Sequence, residues 1–209
     1  MNWKTLVAAG LLVGPVAAHA QTAAINLTTP GEEYSASPYT LGFEFSVNSS
    51  TTITALGVYD SGGTALGAPA EVGIWDTSGD LLASATVPSG TGGTLDGLFR
   101  YTSISGFNAV AGTDYIIGAY LSTGNASSLG TDQGGTGSVN SDVNIILDQY
   151  SESDDFAFPS LTDNHAGGAW LGANFLIGTA STSVPEPATL ALLSLGLAGV
   201  GFLRRRKAA

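Results

Sequence analysis

The chain predicts an all-β fold, an antiparallel β-sandwich of jelly-roll type with about eight strands, and three observations carry that expectation. Apolar residues alternate with others in short runs, as where Leu41, Phe43, Phe45 and Val47 occupy every second position. Glycine is abundant, 29 of 209 residues, and gathers between those runs at Asp60 to Gly63, Thr77 to Asp80, Ser89 to Gly93 and Ala111 to Thr113, where tight turns belong. The middle of the chain shows no amphipathic helical period.

The runs follow one another in order. Leu41 to Val47 is the most regular. Thr52 to Tyr59, Ala70 to Asp76, Leu81 to Val87, Leu98 to Ile104, Tyr115 to Leu121, Val143 to Tyr150 and Trp170 to Ile177 repeat its enrichment in aromatic and branched residues. Strands with one apolar face must bury it against a second sheet, which makes a sandwich the natural architecture.

The two ends read as addresses. Met1 to Ala20 holds Lys4, an apolar run from Leu6 to Ala18, and the small residues Ala18 and Ala20 around His19. That is the order of a signal peptide for the Sec machinery, cleaved after Ala20. Residues 21–40 then form a lead-in, 41–179 the sandwich and 180–187 a linker. Residues 188–203 form an apolar transmembrane helix and 204–209 a basic cytoplasmic tail. Sixteen helical residues span about 24 Å, slightly short of a hydrocarbon core, and the stems of the terminal arginines close the gap. The positive-inside rule keeps Arg204, Arg205, Arg206 and Lys207 cytoplasmic and leaves the domain on the far side of the inner membrane.

Val184, Pro185, Glu186 and Pro187, an apolar helix and a basic end, in that order, resemble the PEP-CTERM sorting signal of Gram-negative bacteria. The resemblance implies that Pro185, Glu186 and Pro187 are the recognition motif for a membrane transpeptidase, exosortase, that cuts nearby, with the basic cluster as the stop-transfer end. It also implies a host that makes exopolysaccharide. Two prolines around Glu186 hold the backbone extended just outside the membrane, which suits recognition. Leu41 to Val47, Ile53 to Tyr59, Val72 to Asp76 with Leu81 to Ala83, and Ala111 to Tyr115 together resemble a group of uncharacterised extracellular β-sandwich domains of bacterial surface proteins. That likeness implies the fold and leaves the activity open.

Charge excludes several functions. Six Lys and Arg stand against seventeen Asp and Glu, a net charge of −11. Five of the six bases lie in the two terminal signals, so Gln21 to Val184 keeps Arg100 alone against sixteen acids, a balance of −15. Such a domain repels phosphate backbones, and nucleic acid is excluded as a partner. With no cysteine there is no disulfide framework, thiolate metal site or cysteine nucleophile.

Candidate chemistry is sparse. Once the signal is removed His165 is the remaining histidine, and no strained G-x-S-x-G turn supplies it with a serine; it reads as a loop residue before the last strand. The many acids offer carboxylate pairs for glycoside hydrolysis, but most sit at turns and strand ends, where solvent keeps them ionised. Asp76 and Asp80 flank one tight turn, and Glu152, Asp154 and Asp155 cluster in another segment. Both sets offer hard oxygen ligands for calcium, although Asp-x-x-Gly is also ordinary hairpin chemistry. Two long connections stand out. Ser122 to Asp142 is rich in Ser, Thr, Gly, Asn and Asp and reads as flexible. Ser151 to Ala169 carries Phe156 and Phe158 ahead of Trp170, aromatics beside carboxylates, the composition of a polysaccharide-binding surface. The same three rings would equally plug the end of the sandwich, and Trp75 reads as core. The expected function is a non-catalytic, exported component of an exopolysaccharide or biofilm matrix. The rivals are a carbohydrate-active hydrolase and a structural surface protein with no ligand.

Overall fold

A computed structural model describes residues 21–31, 33–34, 38–121, 129–130, 136–164 and 170–178. The signal segment with Ala18 and Ala20, His165, and the tail with Pro185 to Pro187 and Arg204 to Lys207 lie outside the described residues.

The strands are β1 (Thr22–Ala23), β2 (Ile25–Thr29), β3 (Glu33–Tyr34), β4 (Tyr39–Val47), β5 (Thr51–Tyr59), β6 (Ala70–Asp76) and β7 (Leu81–Val87). There follow β8 (Thr94–Asp96), β9 (Phe99–Ala109), β10 (Asp114–Leu121), β11 (Leu129–Gly130), β12 (Thr136–Val139), β13 (Val143–Ser151) and β14 (Ala173–Gly178). They build two five-stranded sheets. Sheet 1 runs β1-β14-β5-β9-β8 and sheet 2 runs β13-β4-β10-β6-β7, with the small ribbons β2-β12 and β3-β11 beside them.

The pairing is that of a jelly roll. Antiparallel pairs β1/β14, β4/β10, β5/β9 and β6/β7 nest inside one another along the chain, as four stacked hairpins wrapped into two sheets. β8 and β13 are additions at two sheet edges. All eight runs read from the sequence are strands. The eighth jelly-roll strand, however, is the two-residue β1 rather than β13, so the expected lead-in supplies part of the sandwich. The connection read as flexible also contributes, since Thr136–Val139 pairs with β2.

Sequence alternation explains the inner core. Phe43 and Phe45 of β4, Val72 and Ile74 of β6 and Ile117 of β10 are buried, and Phe45 meets Phe175 of β14 across the two sheets at 4.7 Å between ring centres. Burying each such side chain contributes about 1.5–3 kcal/mol. Half-buried strands would leave the outer faces wet, yet Ile53 to Tyr59 of β5 are buried without a break. The reason is that both outer faces carry a further layer.

Between the sheets the one base of the domain is also buried. Arg100 Nε lies 2.6 Å from Asp60 Oδ2, with the two side chains 4% and 1% exposed. The guanidinium donates further to the carbonyls of Gly93 (3.2 Å) and Gly63 (3.4 Å), tying two turns to the end of β5.

Candidate functional site

Sheet 2 presents a glycine furrow on its outer face. Register aligns Gly42 of β4, Gly118 of β10 and Gly73 of β6 in one row. A Cβ on Gly73 would lie 2.7 Å from both Phe156 Cζ and Trp75 Cη2, and one on Gly118 would lie 2.8 Å from Thr40 Cγ2 and 3.2 Å from Pro159 Cγ. Only glycine leaves room for the segment that crosses there. Phe156 and Phe158 pack on Trp75 with ring centres 5.1 and 6.2 Å away, and Ala157 N donates to Thr40 Oγ1 at 3.3 Å. The segment is closed at the β13 edge by paired backbone bonds between Tyr150 and Leu161 (2.8 and 2.9 Å). Phe156 and Phe158 are thus brought together with Trp75. Trp170 packs instead against the main core cluster, so the three rings read as one sugar platform are divided between two places. Trp75 is buried as expected, on the outer rather than the inner side of its sheet.

Of the acids read as calcium ligands, Asp76 serves a local turn. Asp76 Oδ1 accepts from the backbone N–H of Ser78 (2.9 Å) and Asp80 (3.0 Å), closing the β6–β7 hairpin. Glu152, Asp154 and Asp155 are exposed, and the Asp154 carbonyl accepts from the Tyr120 hydroxyl. Among the described residues no group of three or more His, Asp or Glu side chains is placed to hold a metal ion. Burial, with Asp155, Asp154 and Glu71 nearby, raises the Tyr120 phenol above its ordinary value. Burial, with Asp163 and Glu152 nearby, does the same to Tyr150. Burial and then the Asp114 carboxylate raise Glu44.

Sheet 1 is covered differently. Phe175 faces the inner core, so its neighbour Asn174 points outward. There its Oδ1 accepts from Ile25 N (3.1 Å) and its Nδ2 donates to Ile25 O (2.7 Å), satisfying both backbone groups where the N-terminal chain passes from β1, paired with β14, to β2, paired with β12. The β2–β12 ribbon buries Ile25 and Leu27, and the outer face also buries the aromatic row Tyr59, Phe99 and Tyr101. Beside the ribbon lies a cavity of about 360 Å³ lined by Gln21, Thr22, Asn26, Asp96, Ser138 and Asn140, with Ala23, Ile25 and Phe99 as its apolar wall. Two placements bring its polar groups near one another. Asn26 pairs with Ser138 across the ribbon, and Asn26 Oδ1 lies 3.6 Å from where a Cβ on Gly97, the residue after Asp96, would stand. Sequence reading missed this cavity, because its residues come from three separate segments that share no motif.

Taken together the chain is an acidic jelly-roll domain whose exterior carries the charge, followed by a C-terminal sorting signal. The family model "Domain of unknown function (DUF4082)" matches residues 27–170, and the chain belongs to that family. A PEP-CTERM protein-sorting motif matches residues 183–207, spanning Pro185, Glu186, Pro187 and the basic cluster, and marks an exported protein sorted to the cell surface through exosortase. No curated protein and no solved structure matches the chain. Among the described residues no helix is long and apolar enough to cross a membrane; residues 188–203 are not among them.

Proposed function

We propose that this exosortase-sorted protein is a non-catalytic component of the extracellular polysaccharide or biofilm matrix. Its precursor is held in the inner membrane by residues 188–203 until the tail is processed, and the jelly roll then makes weak, repeated contacts with polysaccharide, with calcium bridging its surface carboxylates. One observation carries the non-catalytic part. The buried carboxylates among the described residues, Asp60 and Asp148, are engaged structurally: Asp60 by Arg100, and Asp148 by Thr162 Oγ1 (3.1 Å) and Asp163 N (2.8 Å). A glycosidase needs instead an acid held protonated over a cleft. With Arg100 buried, the described exterior displays acids such as Glu71, Asp80, Asp114 and Asp142 without a competing base, which keeps an exported domain soluble.

The rival hydrolase has one observation in its favour, the raised Glu44 beside Asp114 on the outer face of sheet 2. Fractionating cells with and without exosortase, followed by retention of the released protein on host polysaccharide, tests the proposal. Tail-bearing protein fixed in the inner membrane of both strains would sink the sorting step. Absence of retention would sink matrix binding. Degradation of the polymer that stops in Glu44→Gln would establish the hydrolase.

A further inference from the structure

We propose that the cavity beside the β2–β12 ribbon binds a neutral, hydroxyl-rich ligand, a sugar unit of a polysaccharide chain. This rests on the matrix reading and assigns it a place. The polar groups of the cavity fall into two sets. Asn140 is committed to the fold, donating from Nδ2 to Thr22 Oγ1 (3.3 Å) and accepting at Oδ1 from Asp142 N (3.0 Å), and Gln21 Nε2 donates to Thr54 Oγ1 (2.6 Å). The side chains of Asn26, Asp96 and Ser138 are exposed and make no hydrogen bond among the described residues. They offer an amide donor and acceptor, a carboxylate acceptor and a hydroxyl around one opening, a set that matches vicinal hydroxyl groups.

Charge and size decide the ligand class. The lining holds one carboxylate and no base, and the domain's own base is buried against Asp60, so an anionic ligand would meet only repulsion. A divalent cation is equally ill suited, since it needs six to eight oxygens at about 2.3–2.6 Å and this opening of about 360 Å³ brings one formal charge. A volume in that range is typical of small-ligand sites. Phe99 closes the wall from beneath, leaving polar groups to fix the orientation of a bound ring.

The test is saturation-transfer NMR on the full chain in detergent, with cellohexaose, maltohexaose and mannohexaose as probes. At least one probe is expected to receive saturation, with affinity falling about tenfold or more in the Asn26→Ala/Asp96→Ala double variant, as befits two lost hydrogen bonds. Ser138→Phe, which fills the opening while keeping both polar groups, is expected to give the same loss. All three positions are exposed, so melting temperatures are expected to stay at the wild-type value. No transfer to any probe, transfer that survives both variants, or transfer abolished by EDTA would each overturn the site. Host polysaccharide retained equally by wild type and double variant would remove the site and leave the matrix reading standing, whereas no retention by either would remove both.

Discussion

The two outer faces of the sandwich solve one problem in opposite ways. Each sheet has an outer face that must be covered. Sheet 2 is covered by a crossing segment whose Phe156 and Phe158 pack on Trp75, with Phe156 over Gly73 and Pro159 over Gly118, so that the rings already have partners. Sheet 1 is covered by a two-stranded ribbon tied to it through the Asn174 amide, and beside it lies an opening lined with polar groups. Aromatic rings drew attention to the first face in the sequence, yet the second has the room for a ligand. Ring composition alone therefore does not mark a binding surface; what matters is whether the rings already have partners.

Both covers rest on one interior, and Arg100→Ala is the substitution that disturbs it most. Removing the guanidinium leaves Asp60 as a buried, unpaired charge, with an expected loss of about 3–5 kcal/mol in urea unfolding and simultaneous melting of both covers. Asp60→Leu/Arg100→Met is expected to recover most of that loss. Full stability in Arg100→Ala would mean the pair does not hold the end of β5.

Asn174→Leu attacks sheet 1 alone. It deprives the Ile25 N–H and C=O of their partners, for an expected loss of about 3 kcal/mol in the same assay. Protection of the Ile25 amide against hydrogen exchange should fall while the Trp75 surroundings stay unchanged. Phe156→Ala is the counterpart on sheet 2. The ring is half-buried, so about 2 kcal/mol is expected, with a red shift of Trp75 emission and no change at Asn26 or Ser138. If either substitution disturbed the opposite face, the two covers would be coupled rather than independent.

Those residues also show what sequence could and could not carry. The eight main strands were legible because alternation and turn chemistry are local. β1 was not, because two residues hold no period, and Thr136–Val139 was not, because Thr-Gly-Ser-Val becomes a strand only by pairing with β2. Phe156 and Phe158 fit a plug and a platform equally until register set Gly118 and Gly73 side by side beneath the segment that carries them. The cavity was least legible, since Asn26 and Asp96 are seventy residues apart and line one opening only because the ribbon lies across sheet 1.

Alkaline pH offers the finest test of the difference between the covers. Tyr120 donates to the Asp154 carbonyl and Tyr150 lies beside Asp163 and Glu152, so both phenols touch the segment that covers sheet 2. Burial and those carboxylates raise both above the ordinary value of 10.0. A phenol raised in the folded state still holds its proton where the unfolded chain has lost it. Its contribution is therefore complete below pH 10.0 and is lost as pH rises through the raised value. Tyr101 is raised as well, chiefly by burial, on the outer face of sheet 1. In the signal-processed protein carrying Trp170→Phe, Trp75 emission is expected to change at a lower pH than the far-ultraviolet sheet signal. Tyr120→Phe with Tyr150→Phe is expected to move that first step upward and leave the second in place. Loss of both signals at one pH, unaltered in the double variant, would show that the crossing segment and the sandwich open as a single unit.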